Sequence, residues 1–270
     1  MSEFAGKSVL ITGAASGVGR ALSCELAARG AEVFVSALSL DEATPVVEEI
    51  VAGGGTAQAL KCDVALNEDI RNAINTVVRQ CGKLDIMINN AGLLYIGEYT
   101  DMDEVFLEKI YRVNFFAVSF GAYCALAQMK AQGHGRIVNI ASMAGLLPSP
   151  GMAAYAASKH AVVGLSKSLQ AEANPLGINV QVACLSNVAS ALIDRAECES
   201  GHNDVYRQLF PKPQSSAAAA KKLVDGMQGN KLFLYTPFNA RVAAFVYQLA
   251  PRLMQWSCGL MMKRFRKDVE

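Results

Sequence analysis

A short polar stretch opens the chain and gives way to Ser8–Ile11, the first of seven short runs rich in β-branched and apolar residues. The others are Glu32–Ala37 and residues 57–61, 84–89, 136–141, 179–184 and 231–235. Several are apolar without a break, as in parallel strands covered on both faces. Between them, apolar positions recur every three to four residues over 18–29, 41–51, 68–81, 103–131, 155–173 and 216–228, the period of helices. Strict alternation of strand and helix predicts one α/β domain over residues 1–270, a doubly wound parallel sheet of about seven strands with helices on both faces.

Nothing divides the chain: Gly53-Gly54-Gly55 is a turn, and there is no internal repeat. Residues 190–215 have weak periodicity and contain Gly201, Pro211 and Pro213. A long segment after a late strand overhangs the carboxyl edge of such a sheet, so this stretch reads as a substrate lid or as a solvated connector. Residues 238–270 form an apolar tail, which Pro251 divides into two helices.

Composition narrows the function classes. With 52% hydrophobic and 18% charged residues the chain buries a large core and is not disordered. A net charge of +1 provides no field for nucleic acid, and no such partner is expected. The seven cysteines are scattered and never form C-x-x-C, which argues against a disulfide framework or zinc site and for small buried residues in a reducing compartment. His134, His160 and His202 show no metal-type pairing, so no metal is expected. No signal-like segment and no run of 18 uncharged apolar residues is visible, and the expected location is the cytoplasm.

The chemistry begins at Thr12-Gly13-Ala-Ala-Ser16-Gly17-Val18-Gly19, between the first strand and the first helix. Gly13 permits a tight turn, Gly17 lets backbone approach a pyrophosphate, and Gly19 lets the helix pack on the sheet. The helix N-terminus then offers free N–H groups to phosphates. Downstream, Tyr155 and Lys159 stand four apart, on one helix face. A free tyrosine titrates near about pH 10 and is a poor base at neutral pH. A neighbouring ammonium favours the phenolate, so the pair predicts a lowered tyrosine pKa.

The G-x-x-x-G-x-G spacing resembles that of the short-chain dehydrogenase/reductase family, and the likeness recurs in order over about residues 5–190. Cys62-Asp63-Val64 resembles the segment that cups adenine, and Asn89-Asn90-Ala91-Gly92 matches the family's N-N-A-G. Asn114, Ser142, Tyr155 and Lys159 fall where the family places its active-site tetrad. The resemblance implies a Rossmann-type fold and an NAD(P)-dependent oxidoreductase. In it Tyr155 is the acid/base, Ser142 holds the substrate oxygen, Lys159 holds the ribose hydroxyls and Asn114 keeps a relay water. The implied cofactor site comprises Gly13, Ser16, Gly17, Val18, Gly19, Ser36, Asp63, Val64, Asn90, Ala91, Gly92, Tyr155, Lys159, Val188 and Ser190.

Two departures stand out. Leu185-Ser186 replaces the family's Pro-Gly after the sixth strand, which makes a cofactor-binding sensor with impaired chemistry the alternative to an enzyme. The ending, from Thr236 onward, is closer to that of lipid-handling members, the hydroxysteroid and retinol dehydrogenases. With Leu93, Leu94, Tyr95 and residues 143–147 it suggests an apolar carbonyl or alcohol substrate. At the end of the second strand stands Ser36-Ala37-Leu38-Ser39. An acid there would bind the ribose of NAD and repel the extra phosphate of NADP, so its absence inclines the site to NADP(H) over NAD(H), with Ser36, Ser39 or Ser16 as phosphate donors. The tail, with Trp256 and the cluster Lys263, Arg264, Arg266 and Lys267, reads as a docking segment for a membrane surface or a partner subunit, or as the cover of the protein's own pocket. A homo-oligomer, dimer or tetramer, is expected.

Overall fold

The computed structural model describes residues 2–189, 191–198, 202, 213–237 and 239–269. Seven strands form one parallel sheet: β1 (Ser8–Ile11), β2 (Glu32–Ala37), β3 (Thr56–Lys61), β4 (Ile86–Asn89), β5 (Gly135–Ile140), β6 (Ile178–Leu185) and β7 (Phe233–Thr236). Their order is β3-β2-β1-β4-β5-β6-β7. The period of two along each strand splits the core. Val9 and Ile11 face a layer built by α1 (Gly17–Ala28) and α2 (Leu40–Ala52). Leu10 faces the layer of α3 (Asn67–Cys81) and the long rod over residues 104–132. The order reverses between β1 and β4, so their carboxyl ends open a crevice there.

The first two strands coincide with the predicted runs. β4 starts at Ile86 because Leu84 and Asp85 are held elsewhere: Leu84 N–H donates to Gln132 Oε1 (2.9 Å) and Asp85 N–H to Ser8 Oγ (3.0 Å). The predicted helix 103–131 is three pieces: α4 (Glu104–Tyr111), a π-helical turn over Arg112–Phe116, and α5 (Ala117–Gln132). By length and composition this rod could cross a membrane, but it packs against β4, β5 and α6 (Ala153–Ala173), so it is a core helix.

After β6 come a helical turn, α7 (Ala191–Asp194), then α8 (Ser216–Met227) on the α1 face. Most of the predicted lid, Ser190, 199–201 and 203–212, lies outside the described residues. Its flanks are pinned: Glu197–Cys198 pairs with Tyr95–Ile96, and Gln214–Ser215 with Val188–Ala189. The tail forms α9 (Asn239–Leu249) and α10 (Pro251–Val269), with Pro251 at the start of the second helix, where its missing N–H costs nothing.

Candidate active site

Gly13 (φ +61°) and Gly17 (φ +54°) occupy left-handed backbone, which only glycine adopts readily. A Cβ on Gly19 would overlap the Gly13 carbonyl and the Asn90 amide. Ser16 precedes α1 but makes no side-chain cap, so the first-turn N–H groups face out of the turn. This is a cradle for phosphate, and the residues present fit a dinucleotide.

A second turn locks the first. Asn90 Nδ2 donates to the carbonyls of Thr12 and Gly13, both at 2.9 Å. Thr12 Oγ1 accepts from the N–H groups of Asn90 (3.0 Å) and Ala91 (3.2 Å). Deeper in, Asn89 Nδ2 donates to Asn139 Oδ1 (2.8 Å), and Asn139 Nδ2 to Ser166 Oγ (2.9 Å), tying β4 to β5 and α6 inside the core. Thr12, Asn89 and Asn139 were not among the expected site residues. Their signal was a polar residue at the end of, or inside, a strand otherwise apolar.

The π turn aims Asn114, fully buried, back at the site. Its amide clamps Leu93 at both ends, accepting from Leu93 N–H (2.7 Å) and donating to Leu93 O (2.9 Å). It also donates to Ser158 Oγ (3.2 Å), and Ser158 in turn donates to the Tyr155 carbonyl (2.6 Å). Lys159 Nζ donates to the Ile140 carbonyl at the end of β5 (2.9 Å) and stands 5.6 Å from the Tyr155 ring centre. Ser142 Oγ accepts from Ala144 N–H (3.1 Å) and donates to the Leu185 carbonyl (3.4 Å). Asn114, Ser142, Tyr155 and Lys159, more than forty positions apart at the extremes, thus converge.

The electrostatics differ from the expectation. Burial pushes the Tyr155 phenol up to about 12, and the Ser142 hydrogen bond opposes this only in part. Burial also pushes Lys159 down to about 8. The predicted lowering of the tyrosine pKa is therefore absent from the protein's own groups. Desolvating a phenolate costs more here than the Ser142 hydrogen bond returns. Tyr155 is in its acid form at neutral pH.

Asp63 and Val64 lie beyond β3: Asp63 Oδ1 accepts from Ala65 N–H (2.9 Å), and Val64 is buried against Leu10 and Phe34. Val188 is buried in its two-residue strand. Ser190 lies outside the described residues. Ser36 is brought to this edge of the sheet, but its side chain is fully buried and only its carbonyl is used, accepting from Ala14 N–H (2.8 Å). Its hydroxyl is turned to the Cys62 thiol and offers a cofactor no surface. Ser39 caps α2, accepting from Glu42 N–H (3.3 Å). At Leu185-Ser186 the strand continues rather than turning: Leu185 pairs with Thr236, and Ser186 N–H donates to Thr236 O (2.9 Å).

Tyr155 belongs to an apolar cluster drawn from distant segments: Leu94 and Tyr95 after the N-N-A-G turn, Met152, Leu192 and Ile193 of α7, and Met262 and Phe265 of α10. Arg266 fastens α10 here with a two-pronged ion pair to Glu98 (2.5 and 3.0 Å). A groove of about 880 Å³ runs from Gly17 along α1 past Cys24 and is lined also by Asn187, Ile193 and Ser216, so it adjoins the phosphate turn.

Comparison with known proteins decides what this arrangement is. Residues 7–199 match the short chain dehydrogenase family. The chain belongs to the short-chain dehydrogenase/reductase family. Among its relatives is the cyclohexanol dehydrogenase of Acinetobacter sp. (strain SE19), 37% identical over 199 residues, 73% of this chain and 78% of that protein. A short-chain dehydrogenase from Sphingobium yanoikuyae in complex with NADPH superposes with a TM-score of 0.78 at 26% identity, covering 92% of this chain and 95% of that one. One from Burkholderia phymatum in complex with NAD shares the fold at a TM-score of 0.85 and 24% identity, covering 94% and 96%. This short-chain dehydrogenase/reductase is thus an NAD(P)-dependent oxidoreductase, an alcohol dehydrogenase or ketone reductase. Its tail, from α8 onward, lies beyond the matched stretch.

Proposed function

We propose that Tyr155 is the acid/base of a hydride transfer at the carbonyl or secondary alcohol carbon of an apolar substrate. One observation carries the reading: the phenol stands between the Ser142 hydroxyl and the Lys159 ammonium inside a wall of apolar side chains. The bound nicotinamide supplies or accepts the hydride. Tyr155, protonated, gives its proton to a carbonyl oxygen as negative charge gathers there. Ser142, its rotamer set by Ala144 N–H, donates a hydrogen bond to the same oxygen. Lys159, which Asn114 and Gly92 border, holds a positive charge under the reacting region. Tyr155 begins protonated, the form that carbonyl reduction uses.

On the cofactor side, Gly13, Ser16, Gly17, Val18 and Gly19 cradle the pyrophosphate, Asp63 and Val64 border the adenine, and Val188 meets the nicotinamide amide. NADP(H) is favoured. No acid stands at Ala37, which is buried, and the exposed Lys61 is its register partner on β3 and puts a cation on that rim.

The test is a panel of aliphatic and cyclic ketones and alcohols assayed with NADPH, NADH and their oxidised forms, on the native enzyme and Tyr155→Phe. The variant should keep nucleotide binding and lose about 10²–10⁴ in rate. Retention of most activity refutes the role of Tyr155. Tighter binding of NADH than NADPH refutes the cofactor preference.

A further inference from the structure

The two tail helices use only one face each for the protein's own core. On α10 the inward positions are Met262 and the buried Phe265. On α9 they are Ala243 and the buried Ala244. The opposite faces are apolar as well, which a helix covering its own domain does not require. On α9, Val242 (51% exposed), Phe245 (60%), Val246 and Leu249 (70%) follow one another in steps of three and four and face solvent. On α10, Leu253 (60%), Trp256 (65%) and Leu260 do the same. The same 3-4-3-4 stripe then continues through exposed Lys263 and Lys267, with exposed Arg252 flanking it.

We propose that the outer face of α9 and α10 docks on an anionic lipid surface. Charge complementarity selects this occupant. Residues 239–270 hold six cations (Arg241, Arg252, Lys263, Arg264, Arg266 and Lys267) against two acids, Asp268 and Glu270. An anionic bilayer has the opposite sign, whereas a second copy of the same patch has the same sign. The order of side chains suits a headgroup boundary. Leucines and valines enter the acyl region, the indole of Trp256 sits at the interface, and the lysines about two and three turns on meet headgroups. The helices lie on the surface and do not span it: among the described residues neither has the length and composition to cross a bilayer, and Arg252 lies beside the stripe. Since the inner face of α10 joins the apolar cluster that holds Tyr155, the docked surface is the outer side of a helix that closes that cluster. The proposal stands whatever the substrate is.

Trp256 is the only tryptophan in the chain, so the native protein carries its own probe. Full-length protein is titrated with vesicles of phosphatidylcholine alone and of phosphatidylcholine with 30 mol% phosphatidylglycerol. Indole emission and co-sedimentation are followed, and the oligomeric state is measured by light scattering. With anionic vesicles the emission should shift to the blue and the protein should sediment, with much weaker binding to neutral vesicles. Lys263→Gln and Lys267→Gln should each weaken binding about fivefold, from the ~1 kcal/mol per surface cation near anionic lipid. Leu253→Asp with Trp256→Asp, read by sedimentation, should abolish it while reduction of a soluble ketone is unchanged. No sedimentation of the native protein with anionic vesicles overturns the proposal. So does undiminished binding in the double variant, or a dimer that this variant dissociates while vesicle binding persists.

Discussion

The two halves of the active-site crevice are made of different materials. The nucleotide side is backbone: left-handed glycines, an uncapped helix end, and two turns joined through Thr12 and Asn90, each directly after a strand. The substrate side is side chains, drawn from the loop after β4, the start of α6, α7 and α10, and held by shape and one exposed ion pair. Backbone hydrogen bonds have fixed length and direction, so the first half has one arrangement. Apolar packing accepts many shapes of similar volume, so the second half can vary while the chemistry between them stays put.

The sharpest way to break this contrast is a single Cβ on the backbone-built side. Gly19→Val must displace the Gly13 carbonyl or the Asn90 amide. Nucleotide affinity should fall by at least about 100-fold, or roughly 2.7 kcal/mol, measured by titration with NADPH alongside circular dichroism. Unchanged affinity would mean that the turn bends freely, and the contrast would be lost. Phe265→Ala on the other side removes a buried ring from the substrate wall. Substrate KM should rise about 10- to 100-fold, the scale of losing one to three kcal/mol of apolar contact, while KM for the cofactor stays within about twofold. A parallel loss of cofactor affinity would show that the halves are coupled.

Between the halves lies Lys159. With its pKa pushed down to about 8, its ammonium is present below that pH and lost above it. Carbonyl reduction should therefore decline as pH rises through about 8, long before Tyr155, at about 12, ionises. A rate profile flat to pH 10 would remove Lys159 from the reaction. The smallest effect belongs to the latch. Glu98→Gln breaks a solvent-exposed pair, so substrate KM should rise no more than about fivefold and thermal stability should hardly move.

The same contrast explains what could be read along the chain. β1 and β2 coincide with their apolar runs because nothing but burial defines them. Gly13, Gly17 and Gly19 were legible because backbone geometry leaves its mark as residue type. The tetrad residues were legible as spaced motifs, but not the route by which Asn114 arrives. An apolar pattern looks the same whether or not a π turn interrupts it, and the turn is what rotates the Asn114 amide onto Leu93. The burial of Ser36 escaped a linear reading, since a serine near a strand's end looks like a free donor. So did the tyrosine pKa, because the helix spacing of Tyr155 and Lys159 shows their proximity but not the desolvation both suffer. The break at Pro251 was visible, but which stripe of α10 faced Tyr155 depended on contacts about a hundred residues away.

That distance has a consequence for motion. Met262 and Phe265 meet a cluster whose other members lie between Leu93 and Cys198, and the seven-stranded sheet is complete without them. Closing such a remote contact brings Met262, the Phe265 ring against His202 and one solvent-exposed ion pair, so its opening free energy is a small part of what holds the sheet. The last helix is therefore a separate cooperative unit. Its amides should exchange with solvent deuterium through local detachment, orders of magnitude faster than those of β1 and β4. Each such detachment withdraws Met262 and Phe265 from the cluster that holds Tyr155, so a fluctuation of the tail loosens the apolar side of the site.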